Sequence, residues 1–504
     1  MSDANRMEAL RRRAAPIEME PGCFRDLGHR LVDQVADFLA SLPGRPVTPA
    51  ESPAAVREVL GAGERLPNSG ADPGALLDRA AGLLFDHSLF NGHPRFFGYI
   101  TSSAAPIGAL GDFLAAAVNP NVGAWNLAPM ASEIEAQTVR WIAELLGYPT
   151  DCGGLLVSGG NMANFVCFLA ARTANAGGDV RRQGLGTHAL RLYVSAETHT
   201  WVQKAADLFG LGTDSIRWIP TDDRQRMDVN ALRSRIQGDL EAGAQPFLVV
   251  GNAGSVSTGA VDPLPEIAEI CREHQLWFHV DGAYGAVAAA VPGVSPDLAG
   301  LSLADSVAVD PHKWLYAPVE AGCALVRNPG HLRDTFSYRP PYYHFEEQEA
   351  VDYFDLGLQN SRSFRALKVW LALQQVGRDG CLRMIADDIL LAAQFHRLAA
   401  AHPELEAFTC NLSIATFRYV PKELRESVGS RKTEEYLNCL NRDLLTRIER
   451  SGEAFVSNAV IGGSFLLRLC IVNFRTSLED IEALLPLVAR LGREAHAALR
   501  GTCE

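Results

Sequence analysis

The 504-residue chain has few lysines and no excess of basic residues. Its 46 Lys+Arg stand against 59 Asp+Glu, a formal net charge of −13. This balance argues against a surface for nucleic acid or anionic membrane, because both need basic patches. No apolar run reaches the roughly 18–20 residues that span a bilayer. Since 47% of the residues are hydrophobic, extensive disorder is excluded, and the length suggests about two to four domains.

Paired cysteines and targeting signals are missing as well. The ten cysteines are scattered without a Cys-x-x-Cys spacing, so we predict neither structural disulfides nor a zinc site. The basic run at residues 11–13 leads into two alanines, Pro16 and then acidic residues instead of an apolar core, which is unlike a secretory signal. We therefore predict a cytoplasmic protein without a bound metal.

Because lysine is scarce, few residues in the chain could supply a reactive side-chain amine. The five candidates are Lys204, Lys313, Lys368, Lys422 and Lys432. Lys313 lies between a histidine and a tryptophan just after an apolar run, whereas the others lie in polar, helical or turn surroundings. A desolvated lysine can act as a Schiff-base nucleophile. Lys313 is therefore the best candidate, with a surface-loop lysine as the alternative.

Short apolar runs between residues 153 and 327 predict the fold class. The runs cover residues 155–157, 192–194, 247–250, 277–280, 307–309 and 324–326. Most are separated by helix-like stretches, and apolar strands without alternation indicate a sheet that is buried on both faces. We predict an α/β protein with a mostly parallel central sheet, in which ligands bind at the carboxyl ends of the strands.

Four features follow these predicted strands. They are the glycine turn Ser158–Asn161, His199, Asp281 and Lys313. Glycines and the free amides of a helix start suit a phosphate, although an ordinary strand-to-helix turn has the same pattern. Asp281 could equally cap a helix or bind a metal, and a lone histidine is most often structural. In combination, a phosphate cradle, an acid, a lysine and a histidine favour pyridoxal phosphate. The Gly-x-Gly-x-x-Gly turn of NAD sites and the P-loop are absent.

Several longer motifs resemble those of one family. They are His93–Tyr99, Ser132–Glu135, the glycine turn, His199, Asp281–Tyr284, His312–Trp314 and Phe364–Lys368. Over about residues 20 to 480 the chain resembles the group II pyridoxal-phosphate decarboxylases, most closely the aromatic-L-amino-acid decarboxylase branch. The resemblance implies a PLP-dependent transferase of fold type I and a homodimer with active sites at the subunit interface. It further implies an N-terminal helical segment (1–100) on the dimer partner, a large cofactor domain (101–380) and a small α+β C-terminal domain (381–504).

The resemblance also implies roles for individual residues. Lys313 would form the Schiff base with pyridoxal 5′-phosphate, Asp281 would pair with its ring nitrogen, and His199 would stack on the ring. Further cofactor contacts would be Gly160, Asn161 and His312 at the phosphate, Ala283 beneath the ring and Asn252 beside it. The chain departs from the family in two places: Asn161 replaces the usual serine, and Asp310 replaces an asparagine common in animal members. Both replacements put those phosphate contacts in question.

The expected reaction is release of carbon dioxide followed by protonation of Cα. In the family a loop tyrosine supplies that proton, which implies Tyr342, with Tyr343 or Tyr338 as alternatives and a packing role as another reading. A tyrosine together with His199 favours amine formation over the oxidative, aldehyde-forming reaction.

The substrate pocket is expected at Tyr99, Ile100 and Trp125, although such aromatics could also be core residues. No arginine is clearly placed for an acidic side chain, so we expect tryptophan, tyrosine, phenylalanine or dihydroxyphenylalanine as substrate. The alternatives are glutamate, aspartate, cysteine sulfinate or diaminobutyrate. A carbon–carbon lyase related to sphingosine-phosphate lyase, or a non-catalytic interaction protein, are further readings.

Overall fold

The computed structural model describes residues 3–501 except residues 12, 14, 178, 187–188 and 340–349. The chain divides into two compact units, residues 1–90 and 91–504. The first unit is helical, with α1 (Asp3–Arg11), α2 (Pro21–Ser41), α3 (Pro53–Leu60) and α4 (Pro73–Asp86). Proline occupies the first turn of α2, α3 and α4, where its missing N–H leaves no helical bond unmade.

The second unit contains eleven of the described α-helices and twelve strands. Its helices are α5 (Pro106–Val118), α6 (Pro129–Leu145), α7 (Gly160–Asn175), α8 (Val180–Gln183), α9 (Trp201–Leu208), α10 (Val229–Glu241), α11 (Leu264–His274), α12 (Pro329–Phe336), α13 (Ala366–Ala401), α14 (Arg431–Ser451) and α15 (Leu478–Gly501). Its strands are β1 (Phe96–Phe97), β2 (Gly153–Val157), β3 (Leu190–Ser195), β4 (Ile216–Ile219), β5 (Gln245–Asn252), β6 (Trp277–Asp281), β7 (Ser306–Val309), β8 (Gly322–Val326), β9 (Leu405–Asn411), β10 (Ile414–Tyr419), β11 (Phe455–Ile461) and β12 (Ser464–Cys470).

A seven-stranded sheet forms the centre of this unit. Its strand order is β2-β8-β7-β6-β5-β3-β4. The pairs from β7 through β4 are parallel, and β8 runs antiparallel to both of its neighbours. All six apolar runs are strands of this sheet, which confirms the predicted α/β fold with a mostly parallel sheet. The edge strand β4 has a half-exposed Trp218, so it lacks the continuous apolar run that marks the other strands.

The parallel strands bring three polar residues to one edge of the sheet. Asn252 ends β5, Asp281 ends β6, and Asp310 follows β7. In the β5–β6 register Asn252 lies opposite Asp281. Because carboxyl ends of parallel strands meet at the same edge, residues that are far apart in sequence become neighbours there.

A second sheet has the order β1-β11-β12-β10-β9. It packs with α13, α14 and α15 around a separate apolar core. The two-residue strand β1 pairs in parallel with β11, so residues 96–97 join this C-terminal sheet. The division predicted at residues 100 and 380 remains a prediction; α13 continues through residue 380, with a non-helical Gly377 inside it. No helix in the described part of the chain is long and apolar enough to cross a membrane.

Candidate active site

A cavity of about 380 Å³ opens at the carboxyl edge of the central sheet. Most of the predicted site residues line it: Ile100, Gly160, Asn161, His199, Asn252, Asp281, Ala283, His312 and Lys313. They come from six separate segments of the chain, between residues 100 and 313. The convergence of an amine, carboxylates, an imidazole and a glycine turn on one cavity is typical of a binding or catalytic site.

Asp281 is held at the end of β6 by two N–H donors. The indole Nε1 of Trp201 donates to Oδ2 over 2.7 Å, and the backbone N–H of Ala283 donates to Oδ1 over 3.2 Å. Trp201 is fully buried and Asp281 is 9% exposed. Both donors are neutral, so they orient the carboxylate without cancelling its charge.

Lys313 lies on the turn after β7 and pairs with an acid of the same turn. Its Nζ is 3.0 Å from Oδ2 of Asp310, and His312 Nε2 lies 3.9 Å from the same oxygen. The Nδ1 atom of His312 lies 2.7 Å from the carbonyl oxygen of Ala321, which fixes the imidazole. The other Asp310 oxygen, Oδ1, is buried and has no hydrogen-bond partner among the described residues.

The glycine turn before α7 is shaped by close approach to Asp310. A Cβ on Gly160 would lie 2.6 Å from Asp310 Oδ2 and 3.2 Å from the Ala283 Cβ, and Gly159 has a φ of +137°. Only glycine tolerates these constraints. The first amides of a helix have no acceptor within the helix, so this turn offers N–H donors to an anion.

His199 stands in the turn between β3 and α9. Its Nδ1 accepts the backbone N–H of Trp201 over 3.3 Å. Burial lowers the pKa of His199, and the nearby amines of Lys313 and Lys204 lower it further against the opposing effect of Asp281. The imidazole is therefore neutral near pH 7, in agreement with its role as acceptor.

Asn252 is fixed by a buried acid on the neighbouring loop. Its side-chain Nδ2 donates to Asp262 Oδ2 over 2.9 Å and to Thr198 Oγ1 over 3.2 Å. Burial raises the pKa of Asp262 to about 6, against backbone hydrogen bonds from Met227 and Asn252 that lower it. The Asn252 amide is thus held in one orientation at the cavity wall.

A family model described as the pyridoxal-dependent decarboxylase conserved domain matches residues 74–420. The chain belongs to this family. It is 34% identical to an aromatic-L-amino-acid decarboxylase of Bacillus atrophaeus, over 94% of this chain and 96% of that protein. It is 30% identical to tryptophan decarboxylase 2 of Oryza sativa subsp. japonica, over 93% and 94%. The solved structure of Oryza sativa TDC with PLP and tryptamine superposes with a TM-score of 0.88 at 27% identity, covering 96% of this chain and 99% of that one.

Membership in the pyridoxal-dependent decarboxylases confirms three predictions: fold type I, a carboxy-lyase activity and pyridoxal 5′-phosphate as cofactor. The residues that are present fit this group. The glycine turn leaves room where a Cβ on Gly160 would collide, as close approach of a phosphate requires. Lys313, Asp281 and Ala283 line the same cavity, where they would supply an amine for the cofactor aldehyde, a charge for its ring nitrogen and a small apolar wall.

The remaining predicted site residues either do not line this cavity or lie outside the described residues. Tyr99, 58% exposed, and Trp125 do not line the cavity in the described chain; the Trp125 indole donates to Glu133 over 2.8 Å. Tyr342 and Tyr343 lie outside the described residues. Tyr338 is 70% exposed, and Arg181 stacks over its ring at 4.1 Å. The roles assigned to these residues remain predictions.

Two further residues escaped sequence analysis. They are Trp201, the first residue of α9, and Arg468, in the middle of β12. Arg468 is 3% exposed and donates to Ser457 Oγ over 2.9 Å, but its Nε and Nη2 have no partner among the described residues. A buried charged group without full pairing is costly. A charged residue inside an otherwise apolar run was the one signal that could have identified it.

Proposed function

We propose that the protein decarboxylates an aromatic L-amino acid to the corresponding amine and carbon dioxide. The observation that carries the proposal is the arrangement of Lys313, Asp281 and the Gly160 turn around one cavity. In this arrangement Lys313 would hold pyridoxal 5′-phosphate covalently through its amine. Asp281 would pair with the ring nitrogen, and Gly160, Asn161 and His312 would surround the phosphate. When bound, the cofactor supplies an electron sink for the charge left on Cα as carbon dioxide departs.

The residues around the cofactor have separate tasks. The charge of Asp281 favours a protonated ring nitrogen, since an opposite charge nearby stabilises the charged form. Neutral His199 offers a flat face for stacking and adds no positive charge beside the ring. Asn252 would limit the position of the ring from the side and Ala283 from beneath. Before the cofactor binds, Asp310 would hold the Lys313 amine at the cavity through their 3.0 Å ion pair.

Arg468 is our candidate for the substrate carboxylate. The only hydrogen bond described for its side chain goes to Ser457 Oγ, which also accepts the backbone N–H of Tyr99, the neighbour of the cavity residue Ile100. Burial raises the pKa of Tyr284, another cavity residue, and the charge of Arg468 is among the smaller effects that lower it. A guanidinium so placed can bind a carboxylate through two N–H groups. This contact would be common to all amino-acid substrates and does not select the side chain.

The apolar members of the cavity support an aromatic side chain. Ile100, Met162, Phe165 and Val256 line it, and no arginine is among the described lining residues. An acidic side chain would leave its charge without a partner there, at a high desolvation cost. The named relatives that act on aromatic amino acids support the same choice. Glutamate, aspartate, cysteine sulfinate and diaminobutyrate remain the alternative.

The proton for Cα is assigned to Tyr342, with Tyr343 as the alternative. Tyr338 is the weakest candidate among the predicted tyrosines, because its side chain is exposed to solvent and its ring stacks with Arg181. A tyrosine hydroxyl close to Cα would favour the amine, and its loss would favour an aldehyde.

We further propose a cytoplasmic homodimer in which residues 1–100 pack on the partner. Helix α5 supports an interface: Gly108 and Gly111 allow close packing on α13 around Lys368, while Leu110, Leu114 and Val118 are 52–67% exposed on its surface. These three residues recur every fourth position and form one stripe. Sedimentation of the wild type should give twice the 54.6 kDa chain mass, and charged residues on the stripe should shift it towards the monomer.

Product analysis of the holoenzyme tests the function directly. Each aromatic and each acidic amino acid is incubated with the enzyme, and amine, aldehyde and carbon dioxide are measured. We expect amine and carbon dioxide in equal amounts from at least one aromatic substrate, with no product from the Lys313→Ala variant. Turnover of acidic amino acids alone would contradict the aromatic assignment, and aldehyde as the main product would contradict the amine-forming reaction.

A further inference from the structure

Trp201 connects two residues of the site that the proposed reaction uses. It is the first residue of α9 and is fully buried. Its indole Nε1 donates to Asp281 Oδ2 over 2.7 Å, and its backbone N–H donates to His199 Nδ1 over 3.3 Å. Hydrogen bonds to an ionised group are shorter and stronger than those between neutral groups. One residue therefore contacts both the acid and the imidazole at the cavity.

The surroundings of Trp201 prevent its ring from turning away. Its indole meets the ring of His279 at 5.8 Å and 90° and the ring of Phe168 at 6.4 Å and 81°. These edge-to-face contacts are favourable for aromatic pairs. His279 is itself fixed, since Nε2 lies 2.7 Å from Asn164 Oδ1 and Nδ1 lies 2.9 Å from Ser306 Oγ. The indole N–H thus has one direction, towards Asp281.

The direction of the Asp281 carboxylate matters because it would have to lie next to a single atom, the ring nitrogen of the cofactor. Without a donor to Oδ2 the Asp281 side chain could rotate, since the Ala283 N–H at 3.2 Å holds only Oδ1. A cationic donor in place of the indole would compete with the cofactor for the carboxylate charge. An indole N–H orients the carboxylate and leaves its net charge in place.

We propose that Trp201 is a positioning residue for decarboxylation, whose indole N–H holds Asp281 towards the cofactor ring nitrogen while its backbone N–H holds His199 for stacking. This inference rests on the proposed function, in which Asp281 pairs with that nitrogen. The contact with the reacting atoms belongs to Asp281 and His199; Trp201 acts through them.

The test compares Trp201→Phe with Trp277→Phe. Trp277 is also buried, lies on the same strand as Asp281, and donates its indole N–H over 2.8 Å, but to Ser306. Each variant therefore loses one buried hydrogen bond from an indole N–H, and only the bond lost in Trp201→Phe is made to Asp281. Five quantities are measured: the cofactor dissociation constant, the pH dependence of the bound cofactor's visible spectrum, kcat, KM, and the thermal midpoint of the apoprotein.

We expect Trp201→Phe to weaken cofactor binding and to lower kcat, each by about tenfold to a hundredfold, as for the loss of a hydrogen bond to a charged group. KM should change less, and the pH at which the cofactor spectrum changes should shift. Trp277→Phe should lower the apoprotein midpoint by a similar amount but leave the spectrum and kcat near wild type. In an Asp281→Asn background, Trp201→Phe should add little, because coupled residues are not additive.

Two outcomes would overturn the inference. One is equal effects of the two variants on spectrum and kcat; the other is full additivity with Asp281→Asn. If Trp201→Phe does not fold, benzothienylalanine at position 201 keeps the ring shape and replaces only the N–H, and the same criteria apply. Failure of the proposed function is distinguishable, because a wild type that forms no amine would still report on cofactor affinity and spectrum.

Discussion

The ends of β6 and β7 carry two neighbouring carboxylates with opposite surroundings. At the end of β6, Asp281 accepts N–H groups from Trp201 and Ala283, both uncharged. After β7, Asp310 faces the Lys313 amine at 3.0 Å, and one of its oxygens has no partner among the described residues. Both side chains are largely buried, at 9% and 3% exposure.

This difference separates two uses of a buried acid. Neutral donors fix the direction of the Asp281 carboxylate and leave its charge available for a cation that arrives with the cofactor. The charge of Asp310 is already paired with Lys313 on the same turn. If Lys313 holds the cofactor as proposed, its amine must first give up the positive charge that pairs with Asp310. The ion pair at the end of β7 would then loosen on cofactor binding, whereas the hydrogen bonds to Asp281 at the end of β6 would stay in place.

Removing the amine at the end of β7 should have the largest effect on activity. Lys313→Ala should abolish turnover and the visible absorbance of the lysine-bound cofactor, because no other described lysine lines the cavity. Lys422→Ala, at an exposed position, serves as the control and should keep both properties. Absorbance spectra and carbon dioxide release on the purified proteins measure the effect. Unchanged absorbance in Lys313→Ala with intact folding would show that the lysine is misassigned.

The two acids can be compared through matched amide substitutions. Asp281→Asn should lower kcat by about a hundredfold or more, the size of effect that follows loss of one preorganised electrostatic contact. Asp310→Asn should affect cofactor loading more than kcat, since it removes only the partner of Lys313. Steady-state kinetics with saturating cofactor distinguish the two effects. A larger loss of kcat in Asp310→Asn than in Asp281→Asn would reverse the roles given to these strand ends.

Much of this edge of the sheet could be predicted because it follows from local patterns. Apolar runs marked the strands; Asp281 follows one of them directly, and Lys313 lies four residues after another. Parallel strands bring such positions together whatever the loops do. The rare lysine after a strand was therefore identifiable from the sequence, and the cavity contains it.

The remaining contacts depend on residues that are distant in sequence. Trp201 reaches Asp281 across 80 positions, and Tyr99 reaches Ser457 across 358. No local periodicity reports that an indole N–H points at an acid or that β1 pairs with β11. Arg468 differs again, because the role proposed for it depends on which of its nitrogens lack partners among the described residues. Such information exists only once the strands are packed.

A substitution in the glycine turn should have a smaller effect, confined to the end of β7. Gly160→Ala would place a Cβ 2.6 Å from Asp310 Oδ2, so the β7 acid must shift. Overpacking of this kind costs about 1–3 kcal/mol, and we expect weaker cofactor binding of that order with Asp281 contacts preserved. The control is Gly238→Ala, where a Cβ on a helix meets nothing within 4 Å. Equal cofactor dissociation constants in both variants would contradict a tight cradle at Gly160.

The smallest expected effect concerns a third acid, Asp388, beneath the Lys313 turn. Its Oδ2 accepts the Trp314 indole N–H over 2.8 Å and the Tyr316 hydroxyl over 2.7 Å. Burial raises the pKa of Asp388 to about 7, although these two hydrogen bonds lower it. An unfolded aspartate has a pKa near 3.9, so between about pH 4 and pH 7 the folded state holds a proton that the unfolded state has released.

Stability from Asp388 must therefore fall as pH rises through this window, with a slope of at most about 1.4 kcal/mol per pH unit. An asparagine retains an oxygen that can accept from both Trp314 and Tyr316, but it does not titrate. We expect the difference in unfolding midpoint between Asp388→Asn and wild type to grow in favour of the variant from pH 5 to pH 8, because other titrating groups cancel in the difference. Parallel pH profiles would show that Asp388 does not change its charge in this window, and that its contacts with Trp314 and Tyr316 do not depend on pH.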